Sequence, residues 1–246
     1  MQSVKDHYAA HLGPLYSWMA GGVEAALTRG AAELESLRLD PAAGGSHAVD
    51  LGTGFGMHAI PLARLGFTVL AIDSDEKLLC ELKGHAAELP IRTVPADLLS
   101  FRSFLTTGAD VILCMGDTLA HLPSAADVEA LFETAAAALD GKGVFILSFR
   151  DYAVALAGAR RWIPVRSDAD RILTCFLEYE DAHVVVNDVV HERDGIHWKL
   201  RVSTYRKLRL TSDWVCGALA RTGFEVQRQA GLGGMVRLVA RPAVSG

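Results

Sequence analysis

The segment Ala48-Val49-Asp50-Leu51-Gly52-Thr53-Gly54-Phe55-Gly56, with the apolar run Phe67–Ile72 and Asp73 behind it, constrains this chain more than any other stretch. The first part reads as a buried strand running into a glycine-rich turn that opens a helix. The second reads as the neighbouring parallel strand, with an acid at its carboxyl tip. Glycines in such a turn let backbone approach a ligand closely, and an acid one strand over is placed to hydrogen-bond a ribose. A dinucleotide-binding turn spaces its glycines G-x-G-x-x-G to seat a pyrophosphate on a helix N-terminus. Here the glycines stand at 52, 54 and 56, Met57 holds the place of the third, and Asp50 adds a negative charge. A carboxylate there repels a pyrophosphate and suits a cationic ligand.

The chain then alternates as a doubly wound sheet does. Strands are expected at about 47–51, 67–72, 91–95, 109–114 and 143–149, after helices at about 3–19 and 23–37 and the loop 40–46. Ser124 is placed to cap a helix ending near Leu139, with Asp140-Gly141-Lys142-Gly143 as its exit. Residues 150–210 break this rhythm with a short helix and the β-rich runs Ile172–Tyr179, Val184–His191 and Ile196–Leu210. In the last run, Ile196, Trp198, Leu200, Val202, Thr204, Leu208 and Leu210 alternate with His197, Lys199, Arg201, Ser203, Tyr205, Lys207 and Arg209. That period implies a long antiparallel strand with its apolar face buried, and makes Arg206 a lone charge on that face. A helix at about 211–222 and strands near 224–229 and 235–241 close the chain.

Taken together, the glycine turn and Asp73 resemble the first motifs of class I S-adenosylmethionine-dependent methyltransferases. The resemblance spans about residues 47–241. It implies an α/β fold: a doubly wound, mostly parallel, seven-stranded Rossmann-like sheet with an antiparallel β insertion after the fifth strand. It divides the chain into a helical cover (1–40), a cofactor-binding domain (41–149 and 211–246) and an insertion over the site (150–210). It also implies S-adenosylmethionine as cofactor. Asp50, Gly52, Thr53 and Gly54 would form the turn facing its amino-acid portion. Asp73 and Ser74 would hold the ribose, although Ser74 is also placed to cap the next helix. Asp97 and Leu98 would meet the adenine, and Met115 would end the fourth strand beside the reacting group. Tyr8, on the first helix, is the aromatic best placed to meet a sulfonium.

The carboxyl end of the fourth strand should border the reacting centre. The Asn/Asp-Pro-Pro-aromatic motif of DNA amino-methyltransferases is absent there. Instead, Gly116-Asp117-Thr118-Leu119-Ala120-His121-Leu122 resembles the Gly-Asn-Ser-Phe-Ala-His-Leu segment of glycine N-methyltransferases, with Asp117 in place of asparagine. Phe149-Arg150-Asp151-Tyr152 resembles that family's His-Arg-Asn-Tyr-Asp segment, which makes Arg150 a candidate clamp for a substrate carboxylate. Leu200-Arg201-Val202-Ser203-Thr204-Tyr205 echoes its arginine-containing strand that ends in tyrosines. Asp117, Arg150, His121, Tyr205 and Arg206 are thus the candidate catalytic residues. His121 stands either as a proton acceptor or as a packed structural histidine.

The bulk properties narrow the partners. A chain of 246 residues, half of them apolar, suffices for one buried α/β domain with an insertion. A formal charge of −5 argues against a dedicated nucleic-acid surface, and no stretch reaches membrane-spanning length. Cys80, Cys114, Cys175 and Cys216 lie far apart without metal-ligand spacing, and residues 1–8 lack the apolar core of a signal peptide. These features point to a cytoplasmic enzyme without a metal. The expected reaction is methyl transfer to a small molecule, an amine with an acidic group being favoured over a hydroxyl. A protein that only binds the cofactor is the other alternative. The β insertion offers a surface for a homodimer.

Overall fold

The computed structural model describes residues 3–41 and 46–243, so part of the expected loop 40–46 lies outside the described residues. Helix α1 (Val23–Leu37) precedes β1 (Ser46–Leu51), α2 (Ala59–Leu65), β2 (Phe67–Asp73), α3 (Glu76–Ala86), β3 (Ile91–Pro95), β4 (Ala109–Cys114), α4 (Ala125–Ala138) and β5 (Leu139–Phe149). After the insertion come α5 (Ser212–Arg221), β10 (Phe224–Ala230) and β11 (Val236–Pro242). These strands form a seven-stranded sheet in the order β3-β2-β1-β4-β5-β11-β10, parallel except where β11 joins β5 and β10. Covered on both faces, its central strands are near-continuous apolar runs, and Phe67, Phe132, Phe145 and Phe149 are fully buried. Strand order reverses between β1 and β4, so the crevice for a ligand opens at their carboxyl ends.

Residues 162–208 form a second, four-stranded antiparallel sheet of β6 (Trp162–Ser167), β7 (Arg171–Tyr179), β8 (His183–Asp194) and β9 (His197–Leu208), in that order. Strand β6 does not stand out in the sequence. The expected short helix of this region is a single 3-10 turn, Gly158–Arg161.

The expected burial of β9 is inverted. Ile196, Trp198, Leu200 and Val202 are exposed, whereas Ser203 and Tyr205 are buried and Lys207 is largely so. The inner face of this sheet packs on the N-terminal segment, where polar groups have partners, and none of the described residues covers its outer face. Only Leu208 and Leu210 turn into the main core. Arg206, on the outer side, forms an exposed ion pair with Glu180 at 2.7 Å and is not a buried charge.

Three local expectations are also corrected. The segment 4–19 is not one helix but successive short α (Val4–His7), π (Tyr8–Leu12), 3-10 (Gly13–Leu15) and α (Tyr16–Met19) turns. Pro14 supplies no amide donor, and the segment packs Leu12 and Leu15 onto Leu173 and Val190 of the insertion. Helix α3 is capped by Asp75, which accepts from the Lys77 and Leu78 amides, rather than by Ser74. Strand β5 starts directly at Leu139, which pairs with Ala109; the register then shifts, and the pairing resumes with Val111 opposite Val144.

Candidate active site

Gly52 and Gly54 lie at φ of 71° and 55°, a region L-residues rarely adopt. A Cβ on Gly52 would come within 2.4 Å of Thr118, and one on Gly54 within 3.3 Å of the Tyr16 ring. The turn therefore admits only glycine at its first position and leaves an open backbone cradle. Asp73 braces it: one carboxylate oxygen accepts from the Gly54 amide at 2.8 Å, the other from the Asp75 amide at 2.9 Å. Burial raises the Asp73 carboxyl, against the pull of these two amides. Asp50 sits behind the turn, where it accepts from the Thr53 hydroxyl at 2.7 Å. Burial raises its carboxyl too.

These groups form one wall of a cavity of about 500 Å³. Gly52, Gly54, Asp73, Ser74, Asp97 and Leu98 line it, as the sequence led us to expect. From the N-terminal segment Tyr8 and Tyr16 close it, and from beyond β4 come Gly116, Thr118 and His121. Burial pushes the Tyr16 hydroxyl up to about 12 and the Tyr8 hydroxyl well above its ordinary value, so both remain neutral phenols. Asp50, Thr53 and Met115 are buried and do not line the cavity; they support its wall from behind.

The reacting end is built by two sheets. Asp117 takes a left-handed conformation (φ 75°) just beyond β4 and accepts from the Arg150 amide at 2.9 Å. Its other oxygen meets Lys207 Nζ of β9 at 2.7 Å. Burial pushes the Asp117 carboxyl up, but Lys207, His121 and the Arg150 amide outweigh it and hold it below the usual range. The His121 ring stands edge-on to Tyr8 and Tyr205, at 5.4 and 5.9 Å. Its Nε2 is buried without a hydrogen-bond partner. Burial, then Lys207, pushes its titration down to about 3, so the imidazole is neutral. Tyr205 is buried behind this pair, stacked on His7 at 4.1 Å.

Of the catalytic candidates His121 lines the cavity; Asp117 and Tyr205 are buried and are not among its lining residues, and Arg150 and Arg206 are turned away from it. Because β5 alternates, Phe149 enters the core and Arg150 turns outward, its guanidinium donating to the Gly233 carbonyl at 3.2 Å. Arg206 belongs to the outer face described above. Conversely, Asp75 and Lys207 were missed. Asp75 lines the cavity and carries a buried Oδ2 without a partner. Its signal was the second acid just past β2. Lys207 shares the alternating register of Ser203 and Tyr205, and only the outward reading of that face hid it. Among the described residues no group of three or more His, Cys, Asp or Glu could hold a metal ion.

The glycine cradle, paired acids and apolar far wall suit a cationic nucleoside-like ligand. The unpartnered Asp75 oxygen beside Asp73 is the observation that tests this fit: a buried acceptor without a donor calls for a hydroxyl.

Residues 48–143 match the model of a methyltransferase domain family. The chain is 28% identical over 111 residues to a glycine/sarcosine N-methyltransferase of Aphanothece halophytica, covering 44% of this chain and 42% of that protein. It is 35% identical over 133 residues to a ubiquinone biosynthesis O-methyltransferase of Caulobacter sp. (strain K31), covering 49% and 50%. The matches thus span about half or less of these curated relatives. Among solved structures, the CcbJ methyltransferase of Streptomyces caelestis superposes with a TM-score of 0.76 at 20% identity, covering 96% of this chain and 98% of that one. DesVI of Streptomyces venezuelae gives 0.76 at 16%, covering 95% and 98%. At these identities the structural likeness is one of fold.

Proposed function

We propose that this chain, whose residues 48–143 match a methyltransferase domain family, is a class I S-adenosylmethionine-dependent enzyme that methylates a nitrogen of a small molecule. S-adenosylmethionine supplies an electrophilic methyl on a positively charged sulfur that leaves as a neutral sulfide. The residues present fit it: Gly52 and Gly54 offer the backbone cradle, Asp73 and Asp75 acceptors for ribose hydroxyls, and Asp97 and Leu98 the far wall. Tyr8 and Tyr16 present neutral aromatic rings to a cation. What the chain itself contributes is mostly placement, which can supply about 7–11 kcal/mol of such a barrier.

The state of His121 carries the preference for nitrogen. A hydroxyl acceptor needs a base that titrates near the working pH. An imidazole whose titration lies at about 3 is a poor base but a permanent acceptor, suited to orienting an N–H while the amine's lone pair stays free. The expected acidic group on the substrate rested on Arg150, and with that side chain on Gly233 no lysine or arginine is among the residues lining the cavity.

Purified protein incubated with methyl-labelled S-adenosylmethionine and pooled acidic amines, neutral amines and hydroxylated compounds tests the reading. Label in an amine pool supports it. Label confined to hydroxylated compounds overturns the nitrogen assignment in favour of the O-methyltransferase likeness, and cofactor binding without transfer to any pool favours a binding protein.

We also read the outer face of the four-stranded sheet as the contact with a second copy of this chain. Trp162, Ile172, Trp198, Leu200 and Val202 are exposed there together. The charges beside them include the pairs Arg206–Glu180 and Arg193–Asp170. An exposed apolar face of this kind is what a two-fold contact between identical chains would bury.

A further inference from the structure

We propose that Lys207 and Asp117 are a positioning pair, which fixes His121 as an uncharged hydrogen-bond acceptor for the N–H of the methyl acceptor. The identity of that donor rests on the nitrogen reading above; the state of the imidazole does not.

The geometry is that of a built device. Asp117 is held rigidly: its amide donates to the Ser148 carbonyl at 3.0 Å, its carboxylate accepts from the Arg150 amide, and its backbone occupies a left-handed conformation. Lys207 reaches it from the opposite sheet, with both side chains almost wholly buried at 12% and 7% exposure. Strand β9 packs against the turn Thr118–His121: the Tyr205 ring stands 5.9 Å from the His121 ring, and the Lys207 ammonium lies 5.7 Å from that same tyrosine ring. Burial of the ring is the first reason that imidazolium is disfavoured, and repulsion from the Lys207 ammonium adds to it. The charged and titratable groups facing His121 are Lys207 and Tyr205 of β9, Asp117 of its own loop, His7 and Tyr8 of the N-terminal segment, and Asp188 of β8. His7 bonds Asp188 directly at 2.9 Å, which leaves the Lys207–Asp117 balance as the adjustable influence. The unpartnered His121 Nε2 is where the acceptor's N–H would bind.

A pair that does not act on the ring would leave its titration unmoved when Lys207 is removed, and this separates the readings. In cofactor-free protein carrying isotope-labelled histidine, with His121→Gln assigning the signal, the His121 resonance should not titrate between pH 5 and 9. In Lys207→Met, Asp117 is left as an unbalanced anion and the proton affinity of His121 should rise by roughly a hundredfold. Lys207→Arg should leave it unchanged. Lys207→Met/Asp117→Asn leaves no unpaired buried charge, so it is the variant to rely on if Lys207→Met fails to fold. There the rise should be smaller, because Lys207 acts on His121 more strongly than Asp117 does. A wild-type His121 that titrates at an ordinary value, or a midpoint unmoved in every folded variant lacking Lys207, would overturn the proposal. With the amine found by the labelling assay, Lys207→Met should add an acid limb to the kcat/KM profile that wild type lacks. If no acceptor is found, the nitrogen reading fails while the titration still decides the role of the pair.

Discussion

Asp73 and Asp50 look alike in sequence, each an acid near the carboxyl end of a parallel strand, but they act on opposite sides of the glycine turn. Asp73 lines the cavity, so Asp73→Ala should weaken S-adenosylmethionine binding by about 1.5–3 kcal/mol, the value of a hydrogen bond to a charged acceptor. Calorimetry showing equal affinity would remove Asp73 from the site. Asp50 is buried behind the turn, with its carboxyl raised by burial. A group raised on folding contributes stability that is fully present below its unfolded value, near 3.9, and is lost as pH rises through the folded one. Ionised Asp50 therefore destabilises the fold at neutral pH. Asp50→Asn can keep the Thr53 bond, and should raise Tm at pH 7 with the gain fading toward pH 4. A lower Tm at pH 7 would mean that the charge has a partner the fold depends on. Both positions were legible as acids at strand ends; which one faces the ligand depended on where the side chains point.

The N-terminal segment is the element whose role is decided by what it touches. Its turns have no core of their own, and His7 clips them to the insertion. His7 is fully buried, with Nε2 on Asp188 at 2.9 Å and Nδ1 on Ser203 at 2.7 Å. Asp188 also accepts from the Cys175 thiol at 2.6 Å. Since Tyr8 and Tyr16 close the cavity from this same segment, His7→Ala should leave Asp188 short of a donor and cost roughly 1–3 kcal/mol in urea unfolding. It should also make residues 4–19 more susceptible to proteolysis and weaken cofactor binding. Loss of global stability without faster cleavage would place the effect in the insertion rather than in the cover. His7 gave no signal in the sequence, because its partners are more than 180 residues away.

At the scale of the whole molecule, the two sheets divide the labour. The parallel sheet provides a fixed crevice where its strand order reverses, and the antiparallel sheet sets Lys207 against Asp117, Tyr205 against His121, and Asp188 and Ser203 against His7. The second sheet has an outer face that none of the described residues covers. If it is a dimer contact, wild type should sediment as twice the chain mass at micromolar concentration, and Leu200→Ser/Val202→Ser should sediment as one chain with the fold intact. A wild type that is monomeric at every concentration would end that reading. None of the described helices is long and apolar enough to cross a membrane.

The sequence by itself determined the parallel sheet, the glycine turn and the residues along one wall of the cavity. These rest on local rules: glycines where φ must be positive, apolar runs where both faces are buried, acids at strand ends. Only the tertiary structure decided the other wall. Alternation in β9 specifies two faces but not which is inward, and the usual inference from polarity fails where the inner face must pair charges across a site. That failure hid Lys207, sent Arg206 to the wrong side and left Asp117 without its partner. Arg150 was misplaced for a similar reason, since the direction of a side chain at a strand end is set by packing across the sheet rather than by its neighbours in the chain.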